Sequence, residues 1–383
     1  MTNRTETTVR ALRSDIVSDT EIGRPRPVIA GLPAYRPGKG AKQAEAEHGI
    51  TDAIKLASNE NPAEPLPAIV AAITAAAAGA NRYADHRATA VREALAGRLG
   101  VAVEQVTVGN GTVGLLQQLW LSYVDPGDEV VYPWRSFEVY PVYTQEMAGT
   151  AVTVPLRDDL GFDLDAVVDA VTNRTKLVVL ATPNNPTGVA CTAAELRRAL
   201  ERIPTSVIVC IDEAYREFLD PSFGDPVSEL VPDFPNVIVT RTMSKAHGLA
   251  GVRVGYGIGH PDVIATIDKT LVPFAVNALA QAAALAAIEH EDEIRRSVDG
   301  ILAERSRVEA ALRSAGWEMP DHQANFVWLT LGDRTDDVTL ELERRGVVVR
   351  PFSGEGIRVT IGTPAENERF VAALTSVADP PVS

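Results

Sequence analysis

The chain has 383 residues, 45% hydrophobic and 23% charged, which excludes a disordered protein and suits two domains or one large α/β domain with a satellite. Its 36 basic and 51 acidic residues leave a net charge of −15, and no basic run offsets it, so neither nucleic acid nor an anionic membrane is an expected partner. No apolar stretch reaches the length of a membrane span, and "MTNRTETTVRALRSD" lacks the apolar core of a signal peptide.

In chain order, residues 1–27 are polar and end in "GRPRP", which reads as a mobile tail. "GLPAYRPGKG" follows as a turn-rich arm, and "AIKLASNENP" as a short strand ending in a polar turn. Helical periodicity then covers roughly 66–79, 88–99, 112–123, 137–147, 163–171 and 192–202. Between these lie β-branched runs at 106–109, 129–133, 151–155, 176–181, 206–212 and 236–240. Alternation of this kind predicts an α/β fold with a mainly parallel sheet covered on both faces. Cys210 lies in the run "SVIVCID" and reads as a small core residue. With Cys191 it makes two thiols and no metal-type pair, which fits a reducing compartment, so a cytoplasmic location is expected. From about 261 to 315 an Ala-rich stretch reads as one long helix leading to a small α+β unit with strands in "NFVWLTL", "GVVVRPF" and "GIRVTIG".

Ligands of open α/β sheets bind beyond the carboxyl ends of the strands. Here those ends carry "NGTVGLL", "TPNNPTG", "DEAY" and "RTMSK". Gly109, Gly111 and Gly114 match G-x-G-x-x-G, which invites a dinucleotide fold. The nearby acids, Asp125 and Asp128, precede the next strand instead of ending it, so the motif reduces to a helix N-terminus suited to one phosphate, with Thr112 adding a hydroxyl. Asp212 ends the most apolar strand and needs a cation or several donors. Lys245 stands among small neighbours, Ser244, Ala246 and Gly248, just beyond another strand end. An amine there becomes nucleophilic when desolvated or held near cations. Arg253 lies eight residues on, Tyr215 follows Asp212, and Asn185 sits on a Pro-braced turn. A lysine for an aldehyde, a carboxylate for a pyridine nitrogen, donors for a ring oxygen and an anion site for a phosphate are the needs of pyridoxal 5'-phosphate.

"TPNNPTG", "DEAY", "TMSKAHGLAGVRVGY", "ANFVW" and "IRVTIG" together resemble the class II aminotransferases of fold type I, in the histidinol-phosphate and aromatic amino acid aminotransferase branch, from about Ile29 to the C-terminus. The resemblance implies a seven-stranded sheet and a homodimer with shared active sites. It also implies a division into residues 28–61 (arm and part of a small domain), 62–295 (large cofactor-binding domain) and 296–383 (C-terminal small domain). By position, Lys245 would hold the cofactor's aldehyde and shuttle a proton, Asp212 would pair with the ring nitrogen, and Asn185 and Tyr215 would hold the ring hydroxyl. Gly111, Thr112, Val113, Thr242 or Ser244, and Arg253 would bind the phosphate, and Phe137 would stack on the ring. Tyr83 would reach the partner subunit's cofactor. Arg358, with Arg350, Tyr35 and Asn185, would face the substrate. His247 stands where the family usually has Phe or Tyr, which reads as a packing position.

The expected reaction moves an amino group from an aromatic amino acid to 2-oxoglutarate. Histidinol phosphate is the alternative donor, since a guanidinium at Arg358 suits carboxylate and phosphate alike. A decarboxylase of the same fold, a regulator on this scaffold and a nicotinamide-dependent dehydrogenase are the competing readings.

Overall fold

The computed structural model describes residues 23–32 and 38–380. Residues 1–22 of the expected tail and Tyr35 lie outside the described residues. Of the described residues, 23–32 belong to one unit and those from 38 onward to a second. In the first, a short helix, Pro27–Ala30, begins on a proline, whose missing N–H costs nothing at a first turn.

The second unit is built on seven strands: β2 (Val106–Asn110), β3 (Glu129–Trp134), β4 (Thr150–Pro155), β5 (Thr175–Ala181), β6 (Ile208–Asp212), β7 (Val237–Thr242) and β8 (Val254–Gly259). Before them comes β1 (Ile54–Lys55). The large sheet has the order β2-β8-β7-β6-β5-β3-β4, parallel throughout except that β8 runs antiparallel to both its neighbours. Along β6 the side chains alternate between two cores. Val209 and Ile211 join one, Ile208 and Cys210 the other, so both faces are covered as the apolar runs require. Asp212 continues the phase of Ile208 and Cys210 and so falls on their face.

Predicted helices match Pro67–Ala77, Thr89–Leu99, Gly111–Tyr123, Val139–Glu146, Leu164–Asp169 and Ala193–Leu200. The long C-terminal helix does not form as one element. It is three: Pro261–Asp268, Ala278–Glu289 and Glu291–Ser314. The first break holds Pro273 and Phe274, the latter at φ 59°, and Asn277 restarts the helix by accepting from the Ala280 amide at 2.9 Å. Alanine periodicity hid these stops. The "GVVVRPF" run also divides, into β10 (Val347–Val348), parallel to β1, and β11 (Arg350–Phe352). β11 joins β12 (Gly356–Thr360) and β9 (Phe326–Thr330) in an antiparallel sheet ordered β11-β12-β9.

β8, "VGYGIG", gave no strand signal because three glycines interrupt its apolar residues. The sheet needs them. A Cβ on Gly255 would stand 2.3 Å from the Thr112 amide nitrogen and 2.5 Å from the Gly111 carbonyl carbon, against backbone that cannot yield. Gly255→Ala is therefore expected to destabilise the protein by about 2–3 kcal/mol, the cost typical of overpacking. Equilibrium urea unfolding would measure it, and an unchanged midpoint would contradict the close approach.

Candidate active site

Strand register brings the site together. Ala181 pairs with Asp212, and Asp212 pairs with Thr240, so the ends of β5, β6 and β7 lie side by side. The chain leaves them to deliver Asn185, Asp212 and Lys245 to one rim.

Asp212 is buried, with 4% of its surface exposed. Tyr140 Oη donates to its Oδ2 at 2.7 Å and Thr240 Oγ1 to its Oδ1 at 3.1 Å. Among the described residues no cation pairs with it. Burial therefore dominates and pushes its carboxyl up to about 6, while the two hydroxyl donors and the nearby Glu213 act as lesser influences. Lys245 is half-buried and its Nζ donates to the Ser58 carbonyl at 3.1 Å. Burial, then the positive charge of Arg358, outweigh the pull of Glu60 and bring this amine down to about 7. A buried acid without a cation and an amine that is half deprotonated near neutrality are a matched pair of unmet electrostatic needs.

The phosphate-type cradle lies where β2 runs into the helix Gly111–Tyr123. Gly111 has φ 69°, and a Cβ there would stand 2.2 Å from an Arg253 guanidinium nitrogen. Only glycine lets Arg253 close over the helix N-terminus. Arg253 itself has φ 68° and donates to Ser244 Oγ at 3.3 Å and to the Ala250 carbonyl at 3.1 Å. Thr242 Oγ1 lies 3.0 Å from Ser244 Oγ and 3.4 Å from the Val254 carbonyl oxygen, so it reaches the cradle through Ser244. Thr112 Oγ1 donates to the Arg241 carbonyl at 3.1 Å, and the Val113 carbonyl accepts from Tyr143 at 3.2 Å. The free amides of a helix start, with Ser244 and Arg253, make an oxyanion site.

Arg358 is 8% exposed, donates to Asn185 Oδ1, and donates to the Ala57 carbonyl at 2.8 Å. Phe326 and Phe352 lie 5.5 and 6.0 Å from its guanidinium. Arg350 faces it across β11 and β12 and pairs with Glu138 at 2.7 Å. Arg135 pairs in turn with Glu355, so two ion pairs of opposite polarity join the segment after β3 to the β11–β12 hairpin. Tyr215 Oη accepts from Asn59 Nδ2 at 2.8 Å, and its ring meets Phe326 edge-on at 5.1 Å. Phe137 stands edge-on to Tyr140 at 5.7 Å. Tyr83 is not gathered into this set. It is 84% exposed and stacks on Phe274, itself 41% exposed. His247 is pushed down to about 4 by burial and by Arg98, and its Nδ1 has no partner among the described residues, so it is neutral and packs.

Sequence reasoning missed Tyr140, Thr240, Ser58 and Asn59. Thr240 carried a signal: it closes the β-branched run 236–240, and it pairs in register with Asp212. Tyr140 and Asn59 come from distant segments and had none.

Residues 51–374 match the family described as aminotransferase class I and II. The chain belongs to it. The chain is 48% identical to an aromatic amino acid aminotransferase of Streptomyces avermitilis, over 90% of this chain and 95% of that one. With its counterpart from Thermobifida fusca the figures are 49%, 90% and 95%. It also superposes on a histidinol-phosphate aminotransferase from Sinorhizobium meliloti, solved with pyridoxal-5'-phosphate, with TM-score 0.86 and 31% identity over 94% of this chain and 99% of that one. The local chemistry fits such a cofactor. The glycine-walled cradle suits its phosphate, the cation-free Asp212 its protonated ring nitrogen, and the depressed amine of Lys245 its aldehyde.

The Asp212 pKa also sets a stability prediction. Cys210, Glu213, Tyr140 and Tyr215 are the titratable groups acting on it. Its folded value lies above the ordinary one, so the native state holds the proton more tightly than the unfolded state. Cofactor-free protein should lose about 2 kcal/mol as pH rises from about 4 to about 6. Asp212→Asn removes this loss. Its melting temperature should exceed the wild type's at pH 8 and converge with it near pH 4. A gap that does not vary with pH would refute the assignment.

Proposed function

We propose that this aminotransferase moves the amino group of phenylalanine, tyrosine or tryptophan to 2-oxoglutarate, using pyridoxal 5'-phosphate held at Lys245. The observation that carries the reaction type is Lys245 itself: an amine brought to about 7 on the same rim as a buried carboxylate that lacks a cation. The aromatic donor rests on relatives of that name at 48–49% identity along nine-tenths of the chain, and on the rings of Phe326 and Phe352 around Arg358.

The bound cofactor supplies an electron-withdrawing ring that lets the donor's Cα–H bond break. The chain supplies the rest. Lys245 Nζ, largely neutral above pH 7, would hold the aldehyde and, once the donor's amine has displaced it there, would take the proton from the donor's Cα. Asp212 holds the ring nitrogen, Asn185 and Tyr215 the ring hydroxyl, and Phe137 stacks. Gly111, Thr112, Val113, Ser244 with Thr242 behind it, and Arg253 hold the phosphate. Arg358 takes the substrate carboxylate, with Arg350 on the substrate side.

The protein acts as a homodimer in this reading. Tyr83, Phe274 and Val272, the last 61% exposed, form an apolar patch that suits a second copy, and Tyr83 then serves the partner subunit's cofactor. The pairing of β1 with β10 supports grouping the stretch around Ile54–Lys55 with 296–383 in a small domain. Among the described residues no helix is long and apolar enough to cross a membrane, which accords with a cytoplasmic enzyme.

Three outcomes are expected. Phenylalanine added alone to the loaded enzyme should bleach its visible band at low concentration, whereas bleaching only by histidinol phosphate would reassign the donor. Lys245→Ala should abolish turnover, and substantial residual transamination would remove Lys245 from its role. In sedimentation velocity the wild type should run as a dimer and Phe274→Asp should shift it toward monomer; a wild-type monomer at micromolar concentration would overturn the shared site.

A further inference from the structure

Asp212 is held in a way that its own strand does not explain. Thr240 on neighbouring β7 supplies one hydrogen bond, at 3.1 Å. The shorter one, at 2.7 Å, comes from Tyr140, a wholly buried residue of the helix Val139–Glu146, which packs in the same core as Ile208 and Cys210. Tyr140 is itself tightly set. Its ring lies nearly parallel to Trp120, with centroids 6.0 Å apart, and 5.8 Å from Tyr132. Its carbonyl accepts from Thr144 Oγ1 at 2.8 Å, and Thr144 Oγ1 accepts from Trp120 Nε1 at 3.0 Å. Trp120 belongs to the same helix whose first turn forms the phosphate cradle. A continuous set of buried contacts therefore runs from that helix through Trp120, Thr144 and Tyr140 to Asp212.

We propose that Tyr140 is a positioning residue for the cofactor's ring nitrogen: its phenol fixes the Asp212 carboxylate so that one oxygen is presented to the ring. The inference rests on the reading that Asp212 faces that nitrogen. Tyr140 has no other hydrogen-bond acceptor for its hydroxyl among the described residues. Phenylalanine could fill the same apolar space, so core packing does not explain the oxygen. A carboxylate held by two fixed donors needs no reorientation when a cationic N–H arrives, which is the advantage of a preorganised polar network.

Tyr140→Phe removes only that oxygen. Apo-protein would be titrated with pyridoxal phosphate and, separately, with the analogue whose ring nitrogen is replaced by CH. The wild type should bind pyridoxal phosphate more tightly than the analogue. In Tyr140→Phe that preference should fall roughly tenfold or more, as for a lost hydrogen bond to a charged group, while affinity for the analogue holds. Activity should show a lower kcat with little change in the amino donor's KM. If both ligands weaken equally, or neither does, Tyr140 is only packing and the proposal falls. If the wild type itself does not discriminate between them, the reading of Asp212 falls first, and Tyr140 with it.

Discussion

A carboxylate with no cation beside it among the described residues, placed at the end of a fully buried strand, is the constraint around which this protein is arranged. Desolvation of a lone acid is costly, and a fold keeps it only where something else compensates. Here the compensation inside the chain is partial: two hydroxyls from two different elements. The opposite error sits at the next strand end, where Lys245 is enclosed near Arg358 and Arg253 and gives up its proton readily. Each is unfavourable on its own, and together they suit a guest with a cationic nitrogen at one end and an electrophilic carbon near the other. Active sites commonly carry such locally unfavourable electrostatics, with stability supplied elsewhere. In this chain it is supplied by the two-sided core of the large sheet.

The anion-binding end follows a different logic. It uses backbone more than side chains, so its requirements fall on shape. Gly111 leaves room for the Arg253 guanidinium, and Gly255 lets β8 press against the first turn of the helix. The shape of the cradle is thus set by where two stretches of main chain can approach each other, with the hydroxyls of Ser244 and Thr242 hydrogen-bonded at its edge.

Much of this was legible in the sequence because the relevant signals are local. Apolar runs marked the strands, and the residues just past them, Asn185, Asp212 and Lys245, marked the rim. What escaped was non-local or locally contradictory. β8 is rich in glycine for reasons that lie in another element, so its propensity argued against it. The breaks near Pro273 and at His290 were masked by the helix-forming residues on either side. Tyr140 looked like one aromatic among several, and nothing within its own helix points to Asp212. The paired charges Arg135 with Glu355 and Glu138 with Arg350 are more than 200 positions apart in the chain, beyond any periodicity. Tyr83 belongs to neither class: it is exposed and stacks on Phe274, apart from the residues gathered at the rim.

The place of β8 in the sheet has a consequence for synthesis. Among the described residues β2 has no strand partner but β8, whose residues are made about 150 positions later. On the ribosome, the first strand of the large sheet waits unpaired while β3 to β7 emerge and associate. The anion cradle, which needs Gly111 and Arg253 together, is among the last features to close. At typical elongation rates of about 5–20 residues per second, that interval lasts roughly ten to thirty seconds. Until it ends, the nascent chain offers an exposed strand edge and no grip on a phosphate, so a chaperone has its window before any small molecule does.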